Sequence, residues 1–144
     1  MTDLPANRIT LITLGVSDLA RSRAFYAALG WTELKGPAAL VLYQMEGTVL
    51  ALFDREALAA DQGRPGAALG TGAATYAQNF PDRAAVDDAF ARAVQAGAEG
   101  LKPPTEASWG GYSGHFADPD GHVWELAHNP LWPLDDHGRA RIPQ

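Results

Sequence analysis

The sequence predicts an α+β fold made of two copies of one pattern, in which a strand and a helix are followed by three strands. The order of apolar and turn-forming stretches over residues 8–53 recurs over residues 74–128. In each copy the helix begins beside an aspartate, a preferred N-cap residue, and ends at a glycine. A linker over residues 54–73 separates the two modules, and a proline-rich tail follows over residues 129–144.

The first module begins with a strand over residues 8–16, where Ile12, Leu14 and Val16 share one face. Apolar residues then recur at helical spacing after Asp18, and Gly30 ends that helix. Three more strands are predicted over residues 31–34, 39–45 and 48–53, the last two forming a hairpin.

After the linker, the second module repeats the pattern of the first. Residues 55–60 are compatible with a short helix, and residues 62–72 are rich in Gly and Ala. Residues 74–80 predict a strand, Asp82 begins a helix and Gly97 ends it. Residues 100–102 predict a short strand that Pro103 and Pro104 interrupt.

The last hairpin turns at residues 118–121, which read Asp-Pro-Asp-Gly. In the strand after this turn, Glu125 shares one face with Val123 and Ala127. A regular register about the turn predicts that Tyr112 and Phe116 lie on the same face as Glu125.

In the same register Gly114 lies directly opposite Glu125 and leaves room beside its carboxylate, whereas His115 lies on the other face. Isolated histidines of this kind are most often surface or edge residues. We therefore expect Glu125 to be partly buried without a histidine partner.

Composition excludes several classes of function. The net charge of -6 and the pI of about 5.0 argue against nucleic acid or an anionic membrane as partner. The absence of cysteine excludes disulfides and thiolate chemistry. Residues 1–7 lack the pattern of a signal peptide, and no apolar stretch reaches the length of a membrane span. These features predict a cytoplasmic protein with a single domain over residues 1–144.

Two stretches resemble a known superfamily. Residues 15–26 read GVSDLARSRAFY and residues 29–31 read LGW; near the other end, residues 116–121 read FADPDG and residues 124–126 read WEL. In this order they resemble the glyoxalase/bleomycin-resistance/extradiol-dioxygenase superfamily, which has the vicinal oxygen chelate fold. The resemblance extends from about residue 8 to residue 128. It implies that the sheets curl around a central cavity, with the helices on the outer face, and that the chain forms a homodimer.

The resemblance also identifies the positions at which metal-dependent members carry a ligand on each of four strands. These positions correspond here to Leu11, the neighbourhood of Ala51, the neighbourhood of Thr75, and Glu125. Leucine and alanine cannot bind a cation, whereas a divalent ion requires three or more N or O donors. We therefore expect no metal and no cofactor.

The same comparison, together with the strand patterns, predicts a cavity with apolar walls and a few polar groups. The expected ligand-binding residues are Leu11, Thr13, Ala51, Thr75, Asn79, Trp109, Tyr112, Phe116 and Glu125. The three aromatic residues among them are equally compatible with a purely structural core. A cavity-facing Thr or Asn can likewise bond the backbone instead of a ligand.

Three functions remain open from the sequence. The first is a metal-free protein that binds a small amphipathic or aromatic molecule in its cavity. The second is a lyase or isomerase of glyoxalase type, with or without metal, in which Glu125 acts as a general base and removes a proton next to a carbonyl. The third is an interaction module whose cavity is filled by its own side chains.

Overall fold

The computed structural model describes residues 6–144, so the prediction for residues 1–7 falls mostly outside it. The elements are β1 (Leu11–Val16), α1 (Leu19–Ala28), β2 (Leu34–Lys35), β3 (Val41–Gln44), β4 (Val49–Asp54), α2 (Arg55–Asp61), β5 (Thr75–Asn79), α3 (Arg83–Gln95), β6 (Glu99–Glu106), β7 (Tyr112–Ala117) and β8 (Val123–His128). None of the helices in this part of the chain has both the length and the apolar character needed to cross a membrane.

The strands form two four-stranded sheets of the same design. The order is β1-β4-β3-β2 in the first sheet and β5-β8-β7-β6 in the second. In each sheet the first strand of the module pairs in parallel with the last, and the other pairs are antiparallel. The predicted α+β fold of paired βαβββ modules is thereby confirmed.

The predicted helix ends are confirmed as well. The side chain of Asp18 accepts a hydrogen bond from the backbone N–H of Arg21 at 3.0 Å, and Asp82 accepts one from Ala85 at 2.8 Å. Gly97, just past the end of α3, has a φ of 111°. These caps satisfy N–H groups that a helix cannot satisfy itself and define where each module's helix begins.

Two predicted strands differ from the structure. Residues 31–34 were predicted as a strand, but the N–H of Trp31 bonds to the carbonyl of Tyr26 at 3.1 Å. Trp31 therefore belongs to the C-terminal cap of α1, and β2 is only Leu34–Lys35. The interruption predicted at Pro103 and Pro104 is absent, because β6 is an edge strand, where prolines with irregular pairing are tolerated.

The register of the last hairpin also differs from the prediction. The N–H of Asp118 donates to the carbonyl of His122 at 2.9 Å, and the N–H of Gly121 donates to Asp118 at 3.0 Å. The loop therefore has three residues, with Gly121 at a φ of 98°. A turn followed by a left-handed residue makes a bulge, and the strands pair Ala117 with Val123. This moves β7 by one residue relative to the predicted register.

The carboxylate of Asp118 joins the two modules within the core. Its Oδ2 accepts a hydrogen bond from the hydroxyl of Tyr26 at 2.6 Å, and that hydroxyl accepts one from Trp124 Nε1 at 3.1 Å. Its Oδ1 accepts the backbone N–H groups of Asp120 and His122, both at 2.9 Å. Burial and the neighbouring Asp118 raise the pKa of Tyr26, so this phenol remains a hydrogen-bond donor.

The carboxylate of Asp120 also links the second module to the first. Asp120 accepts hydrogen bonds from the backbone N–H and the hydroxyl of Ser17, at 2.8 and 2.9 Å, and from the hydroxyl of Ser22 at 3.1 Å. The guanidinium of Arg21 lies 3.3 Å away. Burial acts to raise the pKa of Asp120, but these hydrogen bonds and Arg21 outweigh it, so the pKa lies below its usual range.

The C-terminal tail turns back on itself around residues 135–139. The N–H of Gly138 donates to the carbonyl of Asp135 at 2.9 Å, and Leu134 pairs with Ala140. Arg139 Nε then lies 3.7 Å from the carboxylate of Glu46, at the β3–β4 turn. The tail is thus in contact with the first module.

Replacing Tyr26 by Phe should lower the free energy of unfolding by about 1–3 kcal/mol, because it leaves a buried carboxylate oxygen and the Trp124 indole without their partner. The matched control is Tyr112→Phe, whose hydroxyl donates to Asp87 over the same 2.6 Å on the exposed surface. Urea unfolding of both variants measures the two losses. Equal losses would contradict a special role for the buried network.

Replacing Asp120 by Asn should destabilise the protein more at neutral than at acidic pH. Because the pKa of Asp120 is lowered by folding, its contribution is present above the usual carboxyl range, near pH 4, and is lost as the pH falls through the lower folded value. Urea unfolding at pH 7 and pH 3 measures the free energy of unfolding of both proteins. The difference between Asp120→Asn and wild type should become smaller at the lower pH. The exposed Asp61→Asn serves as control, and a gap that widens on acidification would rule the explanation out.

Candidate functional site

The second sheet has one covered face and one open face. Trp124, Leu126 and Phe116 are buried in the core on the covered face, with α3 packed against them. The opposite face carries exposed or partly buried side chains on β5 and around Glu125, together with the small buried residues Ser113, Ala117 and Ala127. We call it the open face, and its defining residues are Thr75, Ala77, Asn79, His115 and Glu125.

The open face contains a histidine–carboxylate pair. His115 pairs with Glu125 across β7 and β8, and its Nε2 lies 3.4 Å from Glu125 Oε2. The two side chains are 27% and 29% exposed, so both are accessible to a small molecule while still shielded on most sides. The prediction that His115 lies on the other face and Gly114 opposite Glu125 is wrong, because the bulged turn shifts β7 by one residue.

The same shift removes two predicted residues from the face of Glu125. Phe116 lies opposite Trp124 and is 2% exposed, with Phe25 6.2 Å away between ring centroids. Tyr112 donates its hydroxyl to Asp87 on α3 at 2.6 Å. These two aromatic side chains are structural on the covered side of the sheet.

Thr75 and Asn79 of β5 do share a face with Glu125, because Ala77 between them is the β5 partner of Glu125. Thr75 is exposed and Asn79 is half-buried. Trp109 lies in the β6–β7 connection, is 44% exposed, and rests its ring on Gly111. The structure therefore brings Thr75, Asn79 and Glu125 together and leaves Trp109 in a separate loop.

The predicted residues of the first sheet lie on the face that α2 partly covers. Thr13 is the partner of Ala51, and Leu58 of α2 reaches within contact of the neighbouring Gly15. Ala51 has no exposed surface, whereas Leu11 is 46% exposed and Thr13 is half-buried. Ala51 is consequently shielded from a ligand, and Leu11 and Thr13 are accessible.

Two clefts lie beside these faces. The first has a volume of about 430 Å³ and separates the edge strands β1 and β5; we call it the seam cleft. Its walls include Thr13, Tyr76, Arg55 and Arg64. The second, of about 300 Å³, lies between the end of α1 and α3 and is mostly apolar, with Arg92 at its edge. Glu125 lines neither of them.

Sequence reasoning missed the pair of arginines in the seam cleft. Arg55 is the first residue of α2, and Arg64 follows the helix in the segment that reads as a Gly- and Ala-rich linker. The available signal was the presence of two cations beside a glycine-rich stretch in an acidic chain. Their proximity depends on the turn after α2 and could not be inferred from spacing.

The donor set does not fit a divalent metal. The four ligand positions implied by the fold hold Leu11, Ala51, Thr75 and Glu125, and His115 adds one nitrogen beside Glu125. Two good donors are fewer than such an ion requires. Within residues 6–144, moreover, no three His, Asp or Glu side chains are grouped closely enough to hold a metal ion. The absence of a metal nevertheless stays a prediction for the purified protein.

The chain belongs to the glyoxalase/bleomycin resistance protein/dioxygenase superfamily, whose family model matches residues 8–126. The resemblance of the two sequence stretches is therefore confirmed over most of the chain. No curated protein sequence matches it.

Solved structures agree with this assignment. A glyoxalase-related enzyme from Fulvimarina pelagi is 34% identical, with a TM-score of 0.87, and the match covers 96% of this chain and 100% of that one. A lactoylglutathione lyase from Agrobacterium tumefaciens is 27% identical, with a TM-score of 0.67 and coverage of 91% and 100%. A glyoxalase/bleomycin resistance protein/dioxygenase from Nocardioides is 24% identical, with a TM-score of 0.73 and coverage of 88% and 85%, which supports the fold alone.

Proposed function

We propose that this protein binds a small amphipathic or aromatic molecule on the open face of the second sheet, without using a metal. The observation that carries the proposal is the His115–Glu125 pair, 3.4 Å apart and about one quarter exposed, on a face of the sheet opposite the core. A small number of placed polar groups orients the ligand in a small-molecule site, and this pair supplies two such groups with access to solvent.

The chemistry of this face defines the ligand. Glu125 accepts hydrogen bonds or pairs with a cation, and His115 can donate or accept depending on its protonation state. Ala77 beside Glu125 is small and exposed, which leaves room for a ligand group next to the carboxylate. Thr75 and Asn79 add hydrogen-bonding groups along β5. The ligand should therefore carry a donor group directed at Glu125.

A homodimer would supply the apolar wall that the shifted register removes from this face. Large apolar side chains remain exposed in the described chain on β1 and on both outer edge strands. They are Leu11 at 46%, Leu34 at 53% and Leu101 at 47%. Exposed edges and apolar side chains of this kind are usually covered by another chain in symmetric oligomers.

The second candidate function is a lyase or isomerase of glyoxalase type. Glu125 would act as the general base and remove a proton next to a carbonyl, with His115 holding the carboxylate in position. The similarity to a lactoylglutathione lyase favours this candidate, although the donor set leaves any metal-dependent route without its ligands.

Ligand-observed NMR with a panel of aromatic amines and alcohols, followed by calorimetry, tests the binding proposal. Amines should bind, and Glu125→Gln should weaken binding about tenfold through loss of a charge-assisted hydrogen bond. Glu106→Gln, which removes a carboxylate from an exposed pair with Arg83, is the matched control. Equal binding by wild type and Glu125→Gln at every pH from 4 to 9 would refute the assigned role.

Incubation with lactoylglutathione separates the two functions. The binding proposal predicts no turnover and no stoichiometric zinc, nickel, iron or manganese in protein after gel filtration. Turnover that disappears in Glu125→Gln and persists in Glu106→Gln would establish the lyase instead.

Light scattering at micromolar concentration tests the dimer. The mass should be twice the 15.3 kDa of the chain, because the exposed edges and apolar side chains then become covered. Leu11→Glu places a charge on the exposed start of β1 and should shift the population toward single chains, whereas Ile142→Glu in the tail should not. A single-chain mass for the wild type would overturn the dimer.

A further inference from the structure

We propose that the seam cleft is a second binding site, which takes the carboxylate or phosphate group of a small organic anion. The cleft lies between the edge strands β1 and β5 and under the segment that follows α2. Its chemistry is opposite to that of the Glu125 face, so the inference stands apart from the proposed function.

The first observation is the charge of the lining. Arg55 and Arg64 both line the cleft, and none of the lining residues is an Asp or a Glu. The chain as a whole has 17 acidic residues and 11 basic ones. A cleft lining with two cations and no carboxylate therefore differs from the overall composition of the chain. An anion in this cleft therefore faces two cations and no carboxylate of the lining.

The second observation is that these two cations lack a carboxylate partner in residues 6–144. Arg64 directs its Nε to the amide oxygen of Gln62 at 3.0 Å, a neutral acceptor that orients the guanidinium without cancelling its charge. Arg55 is half-buried and forms no ion pair in the same part of the chain. Five other arginines do form ion pairs there. They are Arg21, Arg23, Arg83, Arg139 and Arg141.

The third observation concerns the backbone of the segment that lines the cleft. Within the described chain, residues 68–73 neither donate nor accept a protein hydrogen bond. Backbone N–H groups that are free of protein acceptors are available to a ligand or to water. Gly70 and Gly72 in this segment leave the backbone accessible, and such N–H groups commonly contribute to anion sites.

The geometry selects an oxyanion. A guanidinium presents parallel N–H donors that match the two oxygens of a carboxylate or phosphate, and Thr13 and Gln62 add neutral hydrogen-bonding groups. A volume of about 430 Å³ exceeds that of a bare ion and is typical of a site for a small organic molecule. The oxyanion is therefore expected to be one end of a larger ligand.

The experiment is a titration with inorganic phosphate, and separately with acetate, at constant ionic strength maintained with chloride. The ¹⁵N spectra should show saturable shifts at the Nε of Arg55 and Arg64 and at the amides of residues 68–73. Arg55→Gln and Arg64→Gln should each weaken binding about tenfold. The matched control is Arg92→Gln, which removes the same charge from the edge of the other cleft and should bind as wild type does.

If phosphate binds more tightly than acetate, the ligand carries a phosphate group. If acetate binds more tightly, the ligand carries a carboxylate. Arg64 is exposed after the end of α2, so its variant is expected to fold even where Arg55→Gln does not. Equal weakening in all three variants, or shifts that do not saturate, would overturn the site. Glu125→Gln should leave phosphate binding unchanged. A failure of the seam-cleft proposal can therefore be distinguished from a failure of the proposed function of the open face.

Discussion

The structure depends on the turn between β7 and β8, where the carboxylate of Asp118 is buried and fully engaged. It accepts two backbone N–H groups of its own turn, at 2.9 Å, and the hydroxyl of Tyr26 from the other module at 2.6 Å. A buried carboxylate without these partners would be strongly destabilising. One side chain therefore shapes the turn, holds the two modules together and, through the turn, determines the pairing of the last two strands.

That pairing decides which residues are available for chemistry. Because side chains alternate along a strand, a shift of one residue exchanges the faces of β7 completely. The bulge at Gly121 places Phe116 in the core and His115 beside Glu125. The open face consequently carries an imidazole and a carboxylate instead of aromatic walls. The site proposed for a ligand is thus a consequence of the same turn that stabilises the core.

Most of the fold could be predicted from the sequence because its signals are local. Asp18 and Asp82 cap their helices through their own side chains, and the alternation of apolar residues is visible in each strand. The site was harder, because it depends on register and on contacts between distant segments. A glycine after Asp-Pro-Asp is compatible with loops of different length, and only the three-residue loop brings His115 to Glu125. The seam cleft could likewise not be predicted from the sequence, because tertiary packing brings Arg55 and Thr13 to the same cleft.

Cross-strand NOEs between the main-chain protons of β7 and β8 measure the decisive register directly. The bulged turn predicts cross-peaks that pair His115 with Glu125 and Ser113 with Ala127. Cross-peaks that pair Gly114 with Glu125 would instead show the regular hairpin. That register would place Phe116 on the open face and would separate His115 from Glu125, so the pair on which the proposed binding site depends would not exist.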